Sequence, residues 1–234
     1  MPIALSGLYV GNGRAFTAEV ESGINSKVAV SSLQVGRHSV EHDGPVDLKN
    51  HGGDDRVLHH FPREHYRFFK QQGLMSAERQ APELGENIST LGLLEQDVCI
   101  GDEIAIGEVL LQISLPRSPC FKTNLQFQQR EFARMMQNTA RCGWLYRVLM
   151  PGTINLTDTV TVTKRHCEIS VAEAMRLYFA ERFDAAAYEK LLSAPGLGND
   201  WQRKLQQRLA TGVIENWQSR LYGTAAFYQG WDEK

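Results

Sequence analysis

No glycine-rich dinucleotide fingerprint, Walker loop or Gly-x-Ser-x-Gly elbow occurs in the 234 residues. Gly11-Asn12-Gly13-Arg14-Ala15-Phe16 lacks the third glycine that a nicotinamide site needs. His60-Phe61-Pro62-Arg63-Glu64-His65 has one residue too many for a zinc-protease helix, and Pro62 interrupts it. The four cysteines, Cys99, Cys120, Cys142 and Cys167, form no C-x-x-C pair, which argues against a zinc ribbon or an iron–sulfur cluster. A charged n-region with a long apolar run is missing, as is any stretch of the roughly 18 to 20 apolar residues that a bilayer requires. The chain therefore reads as cytoplasmic, with reduced thiols and no membrane partner. A net charge of -2 gives no global pull toward a nucleic-acid polymer, so any bound anion has to be held by a specific pocket.

With 42% hydrophobic and 22% charged residues the composition is that of a globular protein. The texture changes near residue 168. Before it, short β-branched segments (Val57 to His60, Asp97 to Ile106, Val109 to Leu115) read as strands. Two helices interrupt them, one from Pro62 to Lys70 stopping at Gly73, one from Gln128 to Gln137. Beyond it, Ser170-Val171-Ala172-Glu173 is a capping box opening a helix to about Arg182, Asp184 caps a second through Leu192, and Asn199 or Asp200 a third ending near Gly212. This divides the chain into a β-rich body (1–168), a three-helix module (169–222) and a loose tail (223–234). So small a module is expected to pack on the β body or another subunit. Trp201, Trp217 and the Leu205/Leu209 stripe form either its core or a homodimer contact.

Three clusters carry chemistry. Leu115-Pro116-Arg117-Ser118-Pro119-Cys120-Phe121-Lys122 reads as a rigid extended loop holding a thiol between a guanidinium and an ammonium, a nucleophile, a metal ligand or a structural cysteine. In Asn50-His51-Gly52-Gly53-Asp54-Asp55-Arg56, paired glycines let backbone N–H groups approach an anion, with His51 and Arg56 to complete the pocket; a plain polar loop is the other reading. Met136 to Tyr146 brackets Gly143 with Asn138, Arg141 and Trp144, a grip for a heterocycle with a phosphate tail or an ordinary helix end with Trp144 in the core. Gly85-Glu86-Asn87 adds a side-chain amide.

In this order, His51-Gly52-Gly53-x-Asp55-Arg56, Pro62-Arg63-Glu64-His65-Tyr66, Gly85-Glu86-Asn87, Gly101-Asp102, Pro116-Arg117-Ser118-Pro119-Cys120-x-Lys122, and Met136-Gln137-Asn138-Thr139 with Gly143-Trp144 resemble the MOSC-domain proteins. The resemblance implies a mixed, β-rich fold: a MOSC-type β-barrel core with inserted helices plus the small C-terminal three-helix module. It implies molybdenum cofactor (molybdopterin), with Cys120 ligating the molybdenum, and reduction of N-hydroxylated substrates such as 6-N-hydroxylaminopurine. Lys27 resembles the family's N-terminal lysine. Lys27, His51, Gly52, Gly53, Arg56, Asn87, Arg117, Ser118, Asn138 and Arg141 are donors of the type such a cofactor needs. His51 is a candidate proton donor beside Cys120. Pyridoxal phosphate, often associated with the family, is not expected, because no room remains for a Schiff-base domain. Without a cysteine cluster or nucleotide fingerprint in the sequence, the electrons are expected from a separate reductase. Two other roles fit a reactive cysteine loop: a sulfur carrier using a Cys120 persulfide, and a non-catalytic carrier of molybdenum cofactor.

Overall fold

The computed structural model describes residues 2–11, 14–15, 20–44, 53–229 and 231. The strands are β1 (Ile3–Val10), β2 (Arg14–Ala15), β3 (Glu21–Ser22), β4 (Val28–Val30), β5 (Ser32–Val35), β6 (Leu58–His60), β7 (Ile88–Thr90), β8 (Glu103–Ile106), β9 (Val109–Pro116), β10 (Trp144–Met150), β11 (Gly152–Asn155) and β12 (Thr159–Lys164). The helices are α1 (Glu64–Gln71), α2 (Phe121–Phe127), α3 (Phe132–Thr139), α4 (Val171–Tyr178), α5 (Ala185–Leu192), α6 (Asn199–Thr211) and α7 (Gln218–Tyr222).

Among the described residues, seven strands close into a barrel in the order β12-β8-β9-β10-β6-β7-β1. Closure comes from Ile3 opposite Val160 and Ala4 opposite Thr159, and β4 extends the sheet beyond β1. The barrel is mixed because β6 and β7 run parallel, with His60 opposite Ile88, while its other neighbours are antiparallel. The pleat explains the filling: Val109, Leu111, Ile113 and Leu115 are buried at every second position of β9, as are Ile104 and Ile106 on β8. Burying each such side chain stabilises the fold by about 1.5–3 kcal/mol.

One hydrophobic cluster runs from these strands into the C-terminal helices through Tyr178, Leu191, Trp201 and Leu205. The module is thus packed on the β body, and Trp201 and Leu205 are its core. The Ser170 hydroxyl accepts from Glu173 N at 3.1 Å as the N-cap of α4. A Ser170→Ala variant is expected to lose about 1 kcal/mol in a urea melt, the usual worth of such a cap. An unchanged midpoint would mean that packing alone fixes this helix start.

Four local expectations need correction. The strand expected over Asp97 to Ile106 begins only at Glu103, because Asp102 turns the chain: its carboxylate accepts from Cys99 N at 2.9 Å and pairs with Arg165. The first module helix ends at Tyr178 rather than near Arg182, where Phe179 turns edge-on against Trp201. The chain after Pro119 is not an extended loop: α2 starts directly after Cys120 and ends at Gln128, at φ 51°, so that the next helix begins at Phe132 rather than Gln128. Nor is the described part of the tail loose, for Ala225–Tyr228 form a 3-10 turn with Tyr228 buried.

Candidate functional site

At one end of the barrel the loop around Ser22 to Lys27, the Arg56 turn, β6, the Leu84 to Asn87 loop and the loop after β9 converge on a cleft of about 160 Å³. Its polar lining is Ser22, Lys27, Asp43, Arg56, His59, Asn87, Arg117, Ser118, Cys120 and Lys122; Ile24, Val57, Leu84 and Leu145 supply the apolar part.

Short-range turn chemistry places each wall. Ser22 Oγ accepts from Ile24 N at 3.2 Å, folding the chain so that Lys27 enters the cleft and pairs with Asp43. Burial pulls the Lys27 ammonium down, and Asp43 opposes that shift. Asp43 also accepts from Gly11 N at 2.8 Å and from Asn87 Nδ2 at 3.0 Å. The Asn87 amide further donates to Tyr9 O at 3.2 Å and accepts from His59 N at 3.0 Å, tying β1 to β6. Asn87 thus lines the cleft with its amide already engaged in holding its walls. The neighbouring Glu86 is fully buried and braces the loop, accepting from Tyr66 Oη at 2.6 Å and Leu84 N at 2.9 Å; burial pushes its carboxyl up.

Arg56 reaches the cleft from its 3-10 turn (Asp54–Arg56) while pairing with Asp200 of α6 at 3.3 Å. The same turn is clamped by Arg147 on Asp55, and Asn199 N donates to Asp55 at 2.8 Å, so the helical module fixes one wall of the site. His59, on β6, donates through Nε2 to Cys142 O at 3.3 Å. Burial and the adjacent Arg117 hold its imidazole well below its usual range, with the carbonyls of Cys142 and Gly85 opposing.

Of the residues proposed from sequence, Lys27, Arg56, Asn87, Arg117, Ser118 and Cys120 are brought together. Three are not. Gly53 is exposed outside the lining, Asn138 is exposed on α3, and the Arg141 guanidinium lies over the Phe68 ring at 4.1 Å. Asn138 and Arg141 are diverted because Ala140 closes α3 at φ 54° and turns Trp144 into the core. His51 and Gly52 lie outside the described residues. Lys122, the ammonium expected beside the thiol, also lines the cleft, and Asp43 and His59 are additions. His59 carried a faint signal, the Leu58-His59-His60 alternation, but which face meets a cleft depends on barrel closure.

Among the described residues, Lys27 is neutralised by Asp43 and Arg56 by Asp200, whereas Arg117 and Lys122 make no ion pair. Two unneutralised cations beside a half-buried thiol form a donor set for an anion that also carries a soft, sulfur-binding metal. The residues present therefore fit a metal cofactor with an anionic tail. Among the described residues, no cluster of three or more His, Cys, Asp or Glu could hold a bare metal ion, and no helix is long and apolar enough to cross a membrane.

Residues 47–161 match the MOSC domain, and residues 169–212 match the YiiM-like, 3-alpha helix domain. Protein YiiM of Escherichia coli (strain K12) is 39% identical over 217 residues, covering 92% of this chain and 97% of that protein. The crystal structure of YiiM from Escherichia coli aligns with a TM-score of 0.82 at 36% identity, over 95% of this chain and 100% of that one. A protein of Gibberella moniliformis named "Reductase" is 33% identical over 139 residues, which are 53% of this chain and 25% of that protein.

Proposed function

From the premise that the chain belongs to the MOSC-domain family, with the YiiM-like helical module, we propose that it is a molybdenum-cofactor-dependent reductase of N-hydroxylated compounds, bases such as 6-N-hydroxylaminopurine among them. MOSC domains are associated with molybdenum cofactor, which makes this a molybdenum-cofactor-associated protein. The observation that carries the finer reading is the Cys120 thiol in a cleft with Arg117 and Lys122 left unneutralised beside it. The relative named "Reductase" supports the reaction class.

Converting R–NH–OH to R–NH2 and water breaks one N–O bond and takes up two electrons and two protons. The bound molybdenum centre supplies the two-electron exchange, and the chain supplies binding and orientation. Cys120 is the thiolate ligand. Arg117 and Lys122 bind the anionic end, and Lys27 and Arg56 contribute donors already oriented by their carboxylate partners. Ile24, Leu84 and Leu145 exclude water around the reacting group, which strengthens each charge contact. A separate reductase delivers the electrons.

Molybdenum per chain, by elemental analysis after expression in a host that makes the cofactor, tests the reading. Near-stoichiometric metal is expected in the wild type, with a sharp loss in Cys120→Ser. The wild type should then reduce 6-N-hydroxylaminopurine when a competent reductase is added, and the variant should not. Neither molybdenum nor pterin in the wild type would sink the proposal, and sulfane sulfur on Cys120 in that protein would replace it with sulfur transfer.

A further inference from the structure

The chain beyond Gly212 lies outside both family matches, yet it reaches back to the site. It leaves the module under a clamp: Arg208, almost fully buried, donates to the Glu215 carboxylate through Nε at 2.8 Å and Nη2 at 2.7 Å, and Trp217 packs edge-on to Phe179 at 5.3 Å. Arg220 on α7 then bridges three elements. Its guanidinium donates to the carbonyl of Pro119, the residue before Cys120, and to Gln137 Oε1 on α3 at 2.6 Å, and it lies over the Phe179 ring at 4.6 Å.

The contacts continue along α2, the helix that starts directly after Cys120. Asn124 Nδ2 donates to Leu221 O at 2.8 Å and to Tyr228 Oη at 3.0 Å, and Phe121 stacks on Phe227 at 5.1 Å and 7°. A side chain at Gly223, where φ is 63°, would come within 2.9 Å of Phe121, so the backbone runs directly against the helix. Tyr228 and Leu125 share a small second cluster with Val20, next to the Ser22-Gly23 wall of the cleft. The α2 helix lacks a side-chain N-cap and any acidic residue in its first turn, so tertiary contacts hold it.

We propose that the C-terminal segment 213–229 is a brace for the cysteine wall of the cleft, and that Arg220 is the positioning residue that fixes Cys120 through the Pro119 carbonyl. Its catalytic consequence rests on the reductase reading; its structural part does not. Guanidinium is suited to the task because its planar fork holds two acceptors on different elements while its face packs on an aromatic ring.

Hydrogen exchange on the full-length, cofactor-free chain tests the brace. In Arg220→Gln, peptides covering 117–127 are expected to exchange roughly ten- to a hundredfold faster, the scale of one lost charge-assisted hydrogen bond, with α6 unchanged. Arg220→Lys, which keeps a donor for Pro119 O, should restore most of the protection. In the loaded protein, kcat for hydroxylamine reduction should fall by a similar factor in Arg220→Gln while KM stays put, because no substrate contact is touched. Unchanged exchange at 117–127, or faster exchange spread over α6 and the barrel strands, would overturn the brace. Absence of turnover in the loaded wild type would instead remove the reductase reading, and the exchange result would still decide the brace.

Discussion

Glu95→Ala is expected to lower the free energy of unfolding by about 3–5 kcal/mol, a large share of the stability of an ordinary domain. Glu95 is 3% exposed. Its Oε1 accepts from Cys142 N at 3.0 Å and Gly143 N at 2.7 Å, and both carboxylate oxygens meet His65 Nε2, at 2.9 and 2.7 Å. Removing the carboxylate strands two backbone donors and a buried imidazole in a space closed to water, which costs more than the bonds are worth in the intact protein. The segment cannot relax easily: Gly143 sits at φ 70°, and a Cβ there would stand 2.1 Å from His60 O.

The consequence reaches the cleft, because the carbonyls of this Cys142-Gly143 pair accept from His59 Nε2 at 3.3 Å and from Arg117 N at 3.1 Å. Denaturant unfolding followed by tryptophan fluorescence measures the loss. Glu95→Gln, which keeps the oxygen that both amides meet but not the charge facing His65, should fall between wild type and alanine. A change below about 1 kcal/mol for alanine would mean that water replaces the carboxylate and that the wall stands without it.

Glu95 also shows where the sequence stops being readable. The Gly143-Trp144 segment stood out from its residues, but the group that organises it is 48 positions before Gly143 and looks like any other acid. Strand and helix types followed from local pattern: the period-two filling of β9, the Ser170 and Asp184 caps, the Pro62 entry to α1. Barrel closure was legible only through the family resemblance, since no local signal says that Ile3 faces Val160. The cysteine cluster, Arg56 and Asn87 were found because glycine, proline and charge mark them in the chain, whereas Lys27 entered only through the family resemblance. Asp43 was missed, being one acid in Glu41-His42-Asp43-Gly44 with nothing to show that it would neutralise Lys27 and hold Asn87. The α2 helix was missed for the reason its brace matters: it carries no capping signal, and Asn124, Phe121 and the C-terminal aromatics that hold it are about a hundred residues apart.

Acid is expected to destabilise this fold well above the carboxylate range, through two adjacent histidines. Burial alone lowers the His60 pKa to about 3, and its neighbours Tyr146 Oη at 3.0 Å, Thr90 Oγ1 at 2.8 Å and the Trp144 ring at 4.4 Å bring no charge to offset it. His59 is lowered in the same direction, by burial and then by Arg117. In the unfolded chain both titrate near 6.5, so below that pH the unfolded state binds protons that the native state refuses. Stability is therefore complete above about 6.5 and is lost as pH falls toward the folded values, the His60 part running down to about 3. Each pH unit costs about 1.4 kcal/mol per histidine, so His60 alone removes roughly 2 kcal/mol by about pH 5. Urea melts at neutral pH and near pH 5 measure the sum, and the same pair of melts on His60→Gln isolates this part. The variant is less stable at neutral pH, having lost two buried partners, but its drop between the two conditions should be smaller than the wild type's by that same 2 kcal/mol or so. Equal drops in the two proteins would mean that His60 takes up its proton in the native barrel without opening it, and that burial does not hold it neutral.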